Sequence, residues 1–128
     1  MKYRIIKENK PTLKNYGRYR AKAVHRETID TKQILSETSQ LLGITEGAVT
    51  AALSGLAEVT SRHLRNGQCV RLDGWGLLKL ELLSKVVDSP ETFNAKDDIL
   101  GVRLHLLAES RHGQQALYEG IKLVREEE

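Results

Sequence analysis

Seven consecutive residues near the middle of the chain constrain its fold most. In Leu77-Leu78-Lys79-Leu80-Glu81-Leu82-Leu83, the even-numbered leucines Leu78, Leu80 and Leu82 fall on one face of an extended strand, because successive side chains in a strand point to opposite sides. Leu77 and Leu83 fall on the other face, beside Lys79 and Glu81. A strand carrying leucines on both faces asks for cover on both sides. Its surroundings extend the pattern. Residues 68–72 predict a short strand, Asp73-Gly74-Trp75-Gly76 a tight bend, and residues 99–107 a return of the alternation with Val102, Leu104 and Leu106 in phase. Together they predict an antiparallel pair joined by a polar tip through Asp88-Ser89-Pro90-Glu91-Thr92.

Upstream the hydrophobic period changes to that of a helix pair. Asp30 and Gln33 have capping-box-like spacing, Ile34, Leu35, Leu41 and Leu42 line one side of a first helix, and Gly43 suits its left-handed end. Thr45 can cap a second helix, along which Val49, Leu53, Leu56, Thr60 and Leu64 form an apolar stripe before Asn66-Gly67 ends it. Gly55 sits inside that helix, at a propensity cost of about 1 kcal/mol relative to alanine. A close approach by another helix would explain it. A last helix is predicted from about Ser110, with Leu117, Ile121 and Val124 as its inner stripe.

The net charge of +3 hides an asymmetry. Residues 1–30 hold nine basic and three acidic side chains, whereas the rest of the chain is neutral or slightly acidic. This N-terminal segment alternates like β-structure. Tyr3 and Ile5 oppose Arg4, Ile6 and Glu8, a turn follows at Asn9-Lys10-Pro11, and Tyr19, Ala21 and Ala23 then oppose Arg18, Arg20 and Lys22. A wholly basic strand face is either a surface for phosphates or an edge guarded against aggregation.

Several classes of function find no support. The 128 residues contain no phosphate-cradling GxxxxGK[ST], no GxGxxG, no GxSxG and no HExxH. The four histidines lack metal-ligand spacing and the one cysteine, Cys69, allows no internal disulfide. A non-enzymatic protein without catalytic residues, cofactor, metal or small-molecule substrate is expected. With no long apolar run, no membrane association is expected either, and a cytoplasmic location is.

The stretch TKQILSETSQLLGITEGAVTAALSGLAEVTSRHLRNGQCVRLDGWGLLKL, residues 31–80, resembles the bacterial histone-like HU and integration-host-factor family of DNA-bending proteins. It shares the helix pair, the Asn66-Gly67 break, the glycine-flanked aromatic (Trp75 where phenylalanine is usual) and the hydrophobic strand that follows. The resemblance runs more weakly through the paired strands to about residue 125. With its added N-terminal strands the chain is similar to a divergent branch of that family.

The resemblance implies an α+β fold. Two N-terminal helices and one C-terminal helix would form the base of an intertwined dimer. A three-stranded antiparallel sheet would extend into a β-ribbon arm, and a hairpin-like β extension would precede it. The corresponding division is residues 1–29 for the extension and 30–128 for the HU-like domain. Leu53, Leu56, Trp75, Leu78 and Leu80 are then the expected dimer core, and a second subunit would cover the leucine face that a monomer leaves wet. The partner would be a second copy or a paralogue.

The expected ligand is double-stranded DNA, gripped with weak sequence specificity through its backbone at the nucleoid. The expected contacts are Lys14, Arg18, Arg20, Lys22 and Arg26 in the N-terminal segment, Lys79, Lys85, Lys96 and Arg103 on the arm, and Arg111 at the start of the last helix. Pro90 is the candidate for the proline that wedges between base pairs in the family. Its neighbours Asp88, Ser89 and Glu91 replace the usual basic tip, so a plain turn proline is the alternative. The runner-up function is a dimerisation or protein-interaction module that kept the fold and lost DNA binding.

Overall fold

A computed structural model describes residues 1–108 and 117–127. The chain divides into two compact units, one formed by Met1–Ile34 with Tyr118–Glu128 and the other by Leu35–Leu117.

In the first unit, β1 (Lys2–Lys7) and β2 (Tyr19–Ala23) pair antiparallel, with Arg4 opposite Lys22 and Ile6 opposite Arg20. A third strand, β6 (Val124–Arg125), joins the other side of β1 in parallel, placing Lys2 beside Val124. The sheet order β2-β1-β6 leaves β1 central and β2 at an edge. The Met1 ammonium donates to the Lys122 carbonyl at 2.6 Å, which ties the two ends of the unit together.

Helix α1 (Thr31–Leu42) starts where its cap predicts: the Asp30 carboxylate accepts from the Gln33 amide at 2.9 Å. Gly43 (φ 68°) ends it in the left-handed region. Helix α2 (Glu46–Arg65) begins at Thr45, whose hydroxyl accepts from the Ala48 amide at 3.1 Å, and ends at Asn66 and Gly67. A Cβ on Gly55 would meet nothing within 4 Å among the described residues, so no approach among them accounts for that glycine.

The second sheet has the order β3-β4-β5 (Val70–Leu72, Gly76–Ser84 and Ile99–Leu107), antiparallel throughout. Opposing residues share a face. Leu78 therefore stands with Leu106, Leu80 with Leu104 and Leu82 with Val102, while Lys79, Glu81, Arg103 and His105 occupy the other side. Gly76 (φ 137°) is buried at the start of β4, where a Cβ would fall on the Leu107 carbonyl.

The polar tip between β4 and β5 contains a 3₁₀ turn at Pro90–Thr92 and a four-residue helix, α3 (Ala95–Asp98), whose Asn94 cap accepts from the Lys96 amide. The structure corrects one expectation: Leu117, Ile121 and Val124 do not form a helical stripe. Residues 117–120 are turns, and Val124 lies in β6. The ladder bonds from Val124 to Met1 and from Glu126 to Tyr3 override a local spacing that suited a helix. The expected start of that helix, with Arg111, lies outside the described residues.

Candidate nucleic-acid interface

The alternation of β1 and β2 sorts the N-terminal cations. The ladder puts Arg4, Lys22 and Arg20 on one face with Ile6, and the bond from the Glu8 amide to the Arg18 carbonyl carries the same phase to Arg18. Lys2 shares the phase of Arg4. Two carboxylates temper this row. Glu126 accepts from Arg4 at 3.2 Å, and Glu8 stands 3.6 Å from the Arg20 guanidinium. Lys2 and Arg4 are additions to the set expected from sequence. Their signal lies in the period-two phase of residues 2, 4 and 6, but only the register with β2 joins them to Arg20 and Lys22.

Lys14 lies in the loop between β1 and β2. That loop closes through short turns, including Leu13 amide to Lys10 carbonyl and Arg18 amide to Asn15 carbonyl. Lys14, Arg18, Tyr19 and Arg20 line a concavity of about 420 Å³ together with Glu8, Leu13 and Asn15. Arg26 follows β2, exposed and 3.6 Å from Glu27.

The expected arm cations are placed differently. Arg103 donates to Glu81 at 2.6 Å, His105 meets the other Glu81 oxygen at 2.9 Å, and Lys79 approaches it at 3.6 Å. The register that sets Glu81 opposite Arg103 creates this cluster. The Arg103 hydrogen bond, followed by that of His105, holds the Glu81 carboxyl down at about 2 against an ordinary 4.5. Lys79 and Arg103 thus already have an anion. Lys85 and Lys96 are exposed in the segment linking β4 to β5. Pro90 opens the 3₁₀ turn, a position for which its fixed φ suits it, with Asp88 and Glu91 close by in sequence.

The expected core residues face open space to a large degree. Among the described residues Leu64 is the one buried hydrophobic. It sits at the C-terminal end of the α2 stripe, on a helix that packs against β3 and β4. Leu53, Leu56, Trp75 and Leu80 remain between 39% and 56% exposed, and Leu78 is half-buried. Among the described residues no group of His, Cys, Asp or Glu is arranged to hold a metal ion, and no helix is long and apolar enough to cross a membrane.

A family model, HU-HIG, described as an HU domain fused to wHTH, Ig, or a glycine-rich motif, matches residues 1–115. A solved structure from Bacteroides vulgatus, of a protein to which DNA binding is attributed, superposes with a TM-score of 0.60 at 14% identity. The match covers 98% of this chain and 49% of that one, so the chain spans about half the length of that protein and the likeness is one of fold. No curated protein matches the chain.

Proposed function

The chain belongs to the HU-HIG family of HU domains, and on that premise we propose that it is a non-catalytic, architectural protein that binds the backbone of double-stranded DNA as a dimer. The observation that carries the reading is the row of Lys2, Arg4, Arg18, Arg20 and Lys22 on one face of the N-terminal sheet. Guarding an edge against aggregation would account for cations on β2. It does not account for Lys2 on the central strand, which has Val124 of β6 on one side and accepts from the Val24 amide on the other. A cationic face with few base-reading features suits weakly sequence-specific contact with phosphates.

The labour divides between a β extension, residues 1–29, whose sheet also takes in β6, and an HU-like domain that holds the rest of residues 30–128. The extension supplies most of the grip, because it holds nine of the chain's 20 Lys and Arg side chains, whereas on the arm Glu81 engages both Lys79 and Arg103. Lys14 and Arg26 join the extension's surface, and Lys85, Lys96 and Arg111 add contacts from the domain. Pro90 acts as a turn residue rather than a wedge: it begins a helical turn between carboxylates that phosphates would repel. Dimerisation is supported by the open leucine face of β4 and β5 and by the exposed half of the α2 stripe, which a second copy or a paralogue would cover. Such a protein would work at the nucleoid.

A second reading, an interaction module on the same fold without DNA binding, is favoured by the acidic and self-paired β4–β5 region. One experiment separates the two. Duplex binding is measured against salt for the natural protein and for R18E/R20E/K22E. The first reading expects the logarithmic salt slope to fall by roughly 0.9 for each phosphate that is no longer neutralised. No retardation of duplex at 50 mM salt by micromolar dimer would refute it, and an unchanged slope would remove these residues from the interface.

A further inference from the structure

The C-terminal end of α2 carries a cluster that the N-terminal and β4–β5 contacts leave unused. Arg62, His63, Arg65, Asn66 and Gln68 line a concavity of about 550 Å³ at the surface of the second unit. All five residues are exposed, and among the described residues no carboxylate lines the concavity. The sequence has no Asp or Glu between Glu58 and Asp73. Arg4, Arg20, Arg26 and Arg103 each stand beside a carboxylate, whereas neither Arg62 nor Arg65 has one among the described residues.

The end of a helix is ordinarily a poor place for an anion, because its unpaired carbonyls carry partial negative charge. Here three of the last four are occupied. The Asn66 amide donates to the Arg62 and His63 carbonyls, Gly67 to Leu64, and Gln68 to His63, at 3.0–3.2 Å. The Gln68 side-chain oxygen is likewise taken, accepting from His63 Nδ1 at 2.7 Å. The side chains left to meet a ligand are rich in donors: two guanidiniums three residues apart on one helix, and the NH₂ groups of Asn66 and Gln68. Guanidinium forks match phosphate oxygens bidentately.

We propose that this end of α2 is a phosphate site that holds the sugar–phosphate backbone of duplex DNA, in addition to the cations of the N-terminal sheet. It rests on the DNA-binding reading for the source of the phosphate, but the site itself can be tested alone.

Salt-titrated duplex binding by R62Q/R65Q should show a slope shallower by roughly two units per protomer, since each phosphate released from an arginine removes about 0.9. R62K/R65K, which keeps the charge, should hold the slope near the natural value. A natural slope in R62Q/R65Q overturns the site, and so does a slope that falls equally in R62K/R65K, which would mark a structural role. The second arm titrates the natural protein with inorganic pyrophosphate and follows the Nε–Hε NMR signals of Arg62 and Arg65. Saturable shifts in both are expected, and signals that stay in place overturn the site. If the natural protein retains no duplex while pyrophosphate still shifts both signals, the phosphate site stands and the DNA-binding reading falls.

Discussion

Truncating Leu56 tests whether a second copy completes the core. The α2 stripe runs through Leu53, Leu56 and Leu64, yet of these three only Leu64 is covered, at 8% exposure, while Leu56 is left 48% exposed. Fully burying a leucine is worth about 1.5–3 kcal/mol, so roughly 1 kcal/mol of that remains unrealised at Leu56 in each protomer. In a two-fold dimer the change counts twice. Leu56→Ala should then weaken association by about 2 kcal/mol, which raises the dimer Kd roughly thirtyfold. Sedimentation equilibrium over a concentration series reads this shift directly. A parallel thermal series should give a Tm that rises with protein concentration in the natural chain, because association stabilises by mass action. An unshifted monomer–dimer midpoint in Leu56→Ala would refute the assignment of this stripe to the interface. A natural chain that sediments as a folded monomer at every concentration would refute dimerisation itself.

Two further outcomes follow from the second sheet. Glu81 should titrate at about 2 by carboxyl NMR and move back toward 4.5 in Arg103→Ala. Because the folded value is the lower one, the cluster's contribution to stability is complete above pH 4.5 and is lost as the pH falls through about 2; a Glu81 midpoint near 4.5 in the natural chain would contradict the cluster. Gly76→Ala should destabilise by at least about 2 kcal/mol and lower the Tm by roughly 8 °C, since the new Cβ meets the Leu107 carbonyl at a left-handed φ. A differential scan showing no loss would mean that the β3–β4 bend relaxes freely.

The local grammar of the chain is largely legible in its sequence. Asp30, Gly43, Thr45 and the Asn66-Gly67 pair bound the two helices because caps and left-handed glycines act within a turn of themselves. The alternation of residues 99–107 reads directly as β5, since a strand imposes its period on its own sequence. The C-terminal segment departs from its apparent period for the complementary reason. Leu117, Ile121 and Val124 have helical spacing, but Val124 is held by hydrogen bonds to a strand more than a hundred residues away in sequence. The basic interface is half legible: Arg18, Arg20 and Lys22 share a visible phase, and Lys2 and Arg4 reach it through strand pairing.

By itself the sequence determined which segments become helix or strand over most of the chain, where the charge is concentrated, and that β4 carries leucines on both faces. Those are properties of neighbours along the chain. Only the tertiary structure decided which cations are free. Register places Glu81 opposite Arg103 and within reach of His105 and Lys79, while Arg62 and Arg65 end a helix with no carboxylate lining their concavity among the described residues. A charge can be counted from sequence, but its availability to a ligand depends on what folding sets within a few ångströms of it.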